Sequence, residues 1–262
     1  MHFVKYQGTG NDFILIDNRQ RKYDNIDVKT LCHPKFGIGA DGLMLLQDVE
    51  GYDFEMVYYN SDGNISTMCG NGGRCIVAFA ASLGILKNEN VSFVAIDGPH
   101  DAVYIQTNNE VFVELRLNNV ANIEIFNGDY VLNTGSPHYV KFINDVDAID
   151  IIAEAHQIRY SERFKKEGIN VNFVEIVNDH SIKVRTYERG VENETLSCGT
   201  GVTACSVALY KHLNFSELQS EISIKTMGGD LKVSYQRTPN QVFQLVTLKG
   251  PAVRVFEGVI AG

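Results

Sequence analysis

Short apolar runs punctuated by Gly, Asn or Asp recur along the chain: FILID (13–17), LMLLQ (43–47), FEMVYY (54–59), SFVAI (92–96), AVYIQ (102–106), VFVELRL (111–117), YVKFI (139–143), VNFVEIV (171–177), IKVRTY (182–187), LKVSY (231–235) and VFQLVTL (242–248). Their length and β-branched or aromatic content predict strands. Two segments read otherwise. RCIVAFAASLGIL, from Arg74 to a stop near Gly84, and TACSVALYKHL, from Thr203, carry small and apolar residues close to helical period. Many strands and one or two helices in each half predict an α+β protein.

The pattern is also doubled. T-M-C-G-N-G-G (67–73) and T-L-S-C-G-T-G-V (195–202) align on their cysteines as Cys-Gly-x-Gly, each before one of the helices. Upstream, YYNSDG (58–63) resembles TYERG (186–190), and downstream VSFVAIDG (91–98) resembles ISIKTMGG (222–229). GTGNDFILID (8–17) is weakly matched by TGSPHYVKFIND (134–145). Four matches in one order at nearly one offset predict a tandem duplication. The halves meet near Leu117–Val120, giving domains 1–117 and 118–250, and the last strand (AVRVFEG, within 251–262) can pair back with the first domain.

Charge and composition narrow the partners. The net charge of −9, without a Lys/Arg block, disfavours nucleic acid and anionic membranes. The N-terminus lacks a signal-peptide pattern and no apolar run is long enough to span a bilayer, so the cytoplasm is the expected location. Five cysteines (Cys32, Cys69, Cys75, Cys198, Cys205) are an odd set without an export signal, which argues against a disulfide framework.

Chemistry is expected at two of those thiols. A cysteine opening a helix has its thiolate favoured by the helix dipole. The first-turn N–H groups beside it can cradle a carboxylate, and the glycines would permit close approach or positive φ. Two copies offer two sulfurs to one ligand, the requirement for inverting a carbon centre by removing a proton on one face and delivering one on the other. Cys75 and Cys205, among apolar helix neighbours, and Cys32, without a visible partner, read as core residues. No metal-type cysteine or histidine spacing appears, and no pyridoxal signature, so no cofactor or metal is expected. Gly37-Ile-Gly39-Ala-Asp-Gly42 matches a dinucleotide fingerprint only as letters; without a strand before it or a helix after it, it reads as a turn.

KYQGTGNDFILID, GIGADGL, NSDG before MCGNGGRC, the SPH segment, and YERG before SCGTG together resemble the diaminopimelate epimerase family from end to end. The resemblance implies cofactor-independent conversion of LL-2,6-diaminopimelate to the meso form. It implies two similar domains, each a mixed, barrel-like sheet around a central helix, and a homodimer. Carried over by position, Cys69 and Cys198 are the acid/base pair, and backbone N–H groups of Gly70, Asn71, Gly199 and Thr200 hold the reacting carboxylate. Asn11 meets the reacting amino group. Asn60, Asn170, Glu188 and Arg189 take the distal end, Arg189 its carboxylate and Glu188 its ammonium, and His138 lies near Cys69 and tunes it. Many members have Gln at Gly42 and Asn at Ser136, and Ser136 would offer one fewer polar contact to the distal end.

Overall fold

The computed structural model describes residues 1–108 and 110–260. The chain divides into two units, Met1–Leu115 together with the segment from Gly250 on, and Arg116–Lys249.

The first unit runs β1 (His2–Gly8), β2 (Asn11–Asp17), α1 (Val28–Cys32), β3 (Gly42–Gln47), β4 (Phe54–Asn60), α2 (Gly70–Ser82), β5 (Asn90–Ala95), β6 (Gly98–Gln106) and β7 (Val111–Arg116). The second runs β8 (Ile123–Phe126), β9 (Asp129–Asn133), β10 (Pro137–Phe142), α3 (Ile151–Arg159), β11 (Asn170–Asn178), β12 (Ser181–Glu188), β13 (Asn193–Thr195), α4 (Gly199–His212), β14 (Gln219–Thr226), β15 (Gly229–Arg237) and β16 (Phe243–Pro251). β17 (Val253–Val259) follows and pairs antiparallel with β1, from His2 opposite Val259 to Gln7 opposite Val253. Ala261 and Gly262, the end of the expected last strand segment, lie outside the described residues.

Strand pairing repeats the doubling seen in sequence. In the first unit β1–β2 is antiparallel, β2–β3 parallel, β3–β4 antiparallel, β4–β5 parallel, and β5–β6–β7 antiparallel. In the second, β9–β10, β10–β11, β11–β12, β12–β14 and β14–β15–β16 follow the same alternation. Each parallel step needs a crossover; the helices α1, α2, α3 and α4 supply them. In the first unit Ala252 N–H donates to Val111 C=O (3.0 Å), which brings the chain ahead of β17 back to β7 and makes the sheet barrel-like.

The central helices are swallowed by this layer. α2 is buried from Asn71 to Ala80, and α4 from Gly201 to Tyr210. A helix enclosed on all sides has no solvent face to keep, and its buried polar side chains, Asn71 and Arg74 in α2 and Thr203 and Ser206 in α4, must be satisfied inside. Strands β2 and β3 are correspondingly buried on both faces: Ile14, Ile16, Leu43 and Leu45 pack with Val28 and Cys32 of α1, while Phe13 and Met44 lie against Gly72 of α2. In the second unit Val140, Val174 and Val184 join the α4 core, and alternate residues Tyr139, Phe173 and Tyr187 join Ile151 and Ala155 of α3. At about 1.5–3 kcal/mol for each large apolar side chain removed from water, this two-sided burial fixes strand register. Among the described residues, no helix is long and apolar enough to cross a membrane.

The two motif helices begin earlier than their apolar runs suggest, at Gly70 and Gly199. α1, α3, β1, β8, β9 and β13 lie outside the runs read from the sequence and are seen in the folded chain. The Gly37–Gly42 segment is the expected turn, with Gly39 at φ +78° before β3.

Candidate active site

Each unit presents a cysteine as the residue capping the N-terminus of its central helix. Cys69 (φ −95°, ψ 134°) precedes α2 and Cys198 (φ −119°, ψ 112°) precedes α4. Both have extended backbone, and the first intrahelical bonds run from Gly73 N–H to Cys69 C=O (2.7 Å) and from Val202 N–H to Cys198 C=O (2.9 Å). The amides ahead of Gly73 and Val202 therefore have no acceptor inside their helix, which is the geometry of an anion cradle. Cys69 is half-buried and Cys198 buried. Among the described residues no His/Cys/Asp/Glu group is arranged to hold a metal ion.

The second motif glycine acts by absence of volume. Gly72 and Gly201 lie inside their helices without positive φ, so the expectation of left-handed backbone there is replaced by a packing reason. A Cβ on Gly72 would stand 2.3 Å from Met44 Cε; one on Gly201 would stand 2.5 Å from Asn172 Oδ1 and 3.2 Å from Cys198 Cβ. The motif spacing lets strands crowd the first helical turn.

In the first unit, Asn11 begins β2 and turns its amide between two partners. Its Nδ2 donates to Asp41 Oδ2 (2.6 Å), which leaves Oδ1 facing the Cys69 thiol, 3.7 Å away. Asp41 also accepts from the Asp12 N–H (3.2 Å). Sequence reading placed Asp41 only in a turn; its role as Asn11's anchor comes from the parallel β2–β3 pairing. The Asn71 side chain is occupied within the unit, Oδ1 accepting from Arg74 (2.9 Å) and Thr9 (3.4 Å). Asn60 ends β4 opposite Gly42. A Cβ at Gly42 would meet Tyr58 Cε2 at 2.6 Å and the Tyr59 carbonyl at 2.7 Å, so this backbone has no room for a side chain there.

In the second unit, a polar network stands behind Cys198. Asn172 is completely buried; its Oδ1 accepts from Thr186 (3.0 Å), and its Nδ2 donates to Tyr139 C=O (2.9 Å) and to His138 Nδ1 (3.2 Å). With Nδ1 an acceptor, the proton of a neutral imidazole sits on Nε2, where one N–H is shared between Thr200 Oγ1 and Ser136 Oγ, both at 2.9 Å. Burial, and then the charge of Arg189, push His138 down to about 3, so the ring is neutral at pH 7. Thr200 Oγ1, accepting from His138, has its own proton available to Cys198 Sγ at 3.5 Å. Within its own unit, the hydrogen bonds of His138 join it to the Cys198 loop. Asn172, absent from the motifs, carries that connection.

Ser136 is a hub, taking Asn170 Nδ2 (3.1 Å) as well as His138 and lying 3.2 Å from Thr200 Oγ1. Asn170 also donates to Pro137 C=O (3.0 Å) and accepts the Arg189 N–H (2.8 Å), so its amide orients neighbouring chain. Glu188 ends β12, and the Arg189 guanidinium reaches Glu167 C=O (3.0 Å) across Gly168, where a Cβ would fall 2.7 Å from Arg189 Cδ.

The family model described as diaminopimelate epimerase matches residues 3–98 and 130–255. A diaminopimelate epimerase of Flavobacterium psychrophilum is 48% identical over 263 residues, covering 99% of this chain and 100% of that protein. One of Aquifex aeolicus is 37% identical over 277 residues, covering 98% and 97%. The fold is shared with solved structures of low identity. A Bacillus anthracis phenazine biosynthesis protein of the PhzF family superposes with a TM-score of 0.78 at 14% identity over 100% of this chain and 99% of that one. A hydroxyproline epimerase from Agrobacterium vitis, with bound trans-4-hydroxy-L-proline, gives 0.68 at 12% over 98% and 91%.

Proposed function

The chain belongs to the diaminopimelate epimerase family, and from that membership we propose that Cys69 and Cys198 are the proton-transfer pair of its reaction. The enzyme epimerises LL-2,6-diaminopimelate to the meso form, an isomerisation in lysine biosynthesis. The observation that carries the two-thiol reading is their equivalence: each caps the central helix of its unit, beside first-turn amides. One thiolate removes the α-proton as the other thiol delivers a proton to the opposite face, and the roles exchange in reverse. Each general acid or base contributes about 10²–10⁴-fold. That is too little for so weak a carbon acid, so the amides of Gly70, Asn71, Gly199 and Thr200 bind the α-carboxylate and stabilise charge developing there.

Asn11 Oδ1, held by Asp41, accepts from the reacting ammonium. Glu188 and Arg189 take the distal ammonium and carboxylate, supported by Asn60, Asn170 and the Ser136–His138 turn; this matches a diacid bearing two ammonium groups. The protein acts in the cytoplasm as a homodimer, a state sedimentation velocity would read directly.

In D₂O, LL-diaminopimelate acquires α-deuterium with the wild-type enzyme. Cys69→Ser and Cys198→Ser each lower turnover by about 10²–10⁴-fold; wild-type turnover in either variant removes that thiol from the mechanism.

A further inference from the structure

A buried guanidinium underlies the Cys69 loop, and the matching position under the Cys198 loop is neutral. Arg74, on α2, is completely buried. It donates to Gly70 C=O (3.2 Å), Asn71 Oδ1 (2.9 Å), Thr9 Oγ1 (3.2 Å) and Pro251 C=O (3.3 Å). Every one of these acceptors is neutral. Arginine keeps its proton in proteins, so a positive charge is held out of water with no carboxylate among the described residues paired to it, a costly state that favours an anion nearby. The packing is built for it: a Cβ on Gly8 would stand 3.2 Å from Arg74 Nη2.

The duplication supplies an internal control. Counting from each cysteine, the position of Arg74 is taken in the second half by Thr203, also completely buried, whose hydroxyl donates to Gly199 C=O at 2.8 Å. Gly70 and Gly199 are the equivalent first helical residues. The same carbonyl is capped in both units, by a cation in one and by a hydroxyl in the other. The imidazole on the Cys198 side, His138, is uncharged; the cation that reaches it is Arg189, which is exposed and therefore screened by solvent, unlike the buried Arg74.

Other groups bear on Cys69. Asn11 Oδ1 faces the thiol, Asp41 lies behind Asn11, and Asp12 is paired with Lys5 at 2.8 Å. Asp97 accepts the Met68 N–H and pairs with His100. Cys75, next to Arg74, is kept a neutral thiol by burial. Against these, Arg74 is a cation within electrostatic reach of Cys69 and sheltered from solvent screening.

We propose that Arg74 is a positioning residue for the epimerisation: it fixes the Gly70–Asn71 turn and biases Cys69 toward thiolate, so that the resting enzyme holds Cys69 as the base and Cys198 as the acid. This rests on the two-thiol reading, yet its test does not depend on turnover.

The test is site-resolved alkylation of the intact protein with iodoacetamide across pH, read by mass spectrometry at Cys69 and Cys198. In the wild type, Cys69 is expected to titrate at lower pH than Cys198; Cys198 titrating at or below Cys69 overturns the proposal whether or not any variant folds. Arg74→Gln is expected to raise the Cys69 midpoint by about one pH unit or more, about a tenfold loss of labelling below the midpoint, with the Cys198 midpoint unmoved. Arg74→Lys should fall nearer the wild type. A purely packing role would alter labelling rates and leave the midpoint in place, and that result, or an equal shift at both cysteines, overturns it. Loss of activity in Cys69→Ser is a separate measurement, so failure of the two-thiol reading stays distinguishable.

Discussion

Replacing Gly201 by Ala sets helix propensity against packing at the Cys198 cap. Within a helix the change is worth about 1 kcal/mol in favour of Ala. Here the new methyl would sit 2.5 Å from Asn172 Oδ1, 3.2 Å from Cys198 Cβ and 3.4 Å from its Sγ. Asn172 cannot swing aside cheaply, because it is completely buried and bonded to Thr186, Tyr139 and His138. Overpacking of this kind costs about 1–3 kcal/mol, and leaving one of those buried partners unsatisfied a further ~1–3 kcal/mol. Packing outweighs propensity, and a net loss of about 1–5 kcal/mol is expected. Pushing Sγ out of line by even 1 Å would also lower kcat/KM by about 10²-fold. The chain has no Trp, so urea unfolding is best followed by circular dichroism, beside kcat/KM on LL-diaminopimelate. A variant as stable and as active as the wild type would refute the steric argument. In a double-mutant cycle with Asn172→Ala, the two substitutions should be strongly non-additive.

His138 makes stability depend on pH. Its folded value, about 3, lies below the ordinary histidine range because of burial first and Arg189 second, so between pH 6.5 and 3 the unfolded chain binds the proton that the folded one refuses. The contribution is complete above about pH 6.5 and falls with acidification at up to ~1.4 kcal/mol per pH unit. From pH 7 to 5 the wild type should lose about 2 kcal/mol more than His138→Gln; parallel urea titrations giving equal losses would contradict this. Asp41→Ala releases Nδ2 of Asn11 and should lower kcat/KM about tenfold, the value of one charge-assisted hydrogen bond, with unchanged circular dichroism. An unaffected kcat/KM would place Asn11 outside the reaction.

Much of this protein was legible in its sequence because the signals were local or repeated. Strand runs such as FILID and LMLLQ are dense in residues that must leave water on both faces, and they form β2 and β3. The paired Cys-Gly-x-Gly motifs singled out Cys69 and Cys198, and the folded chain gives them the same helix-capping place. The doubled order of motifs became doubled strand pairing.

Tertiary structure decided what depends on residues distant in sequence. Asp41 meets Asn11 only because β2 and β3 run parallel, and Asn172 meets His138 only because β10 and β11 do. Neither pairing leaves a spacing rule along the chain. The reason for Gly72 and Gly201 is volume taken by Met44 and Asn172, which a glycine in a sequence does not reveal. Arg74 reads as an ordinary helix cation until burial removes its water, and only then does the difference between Arg74 and Thr203 become a difference in charge beneath otherwise matching loops.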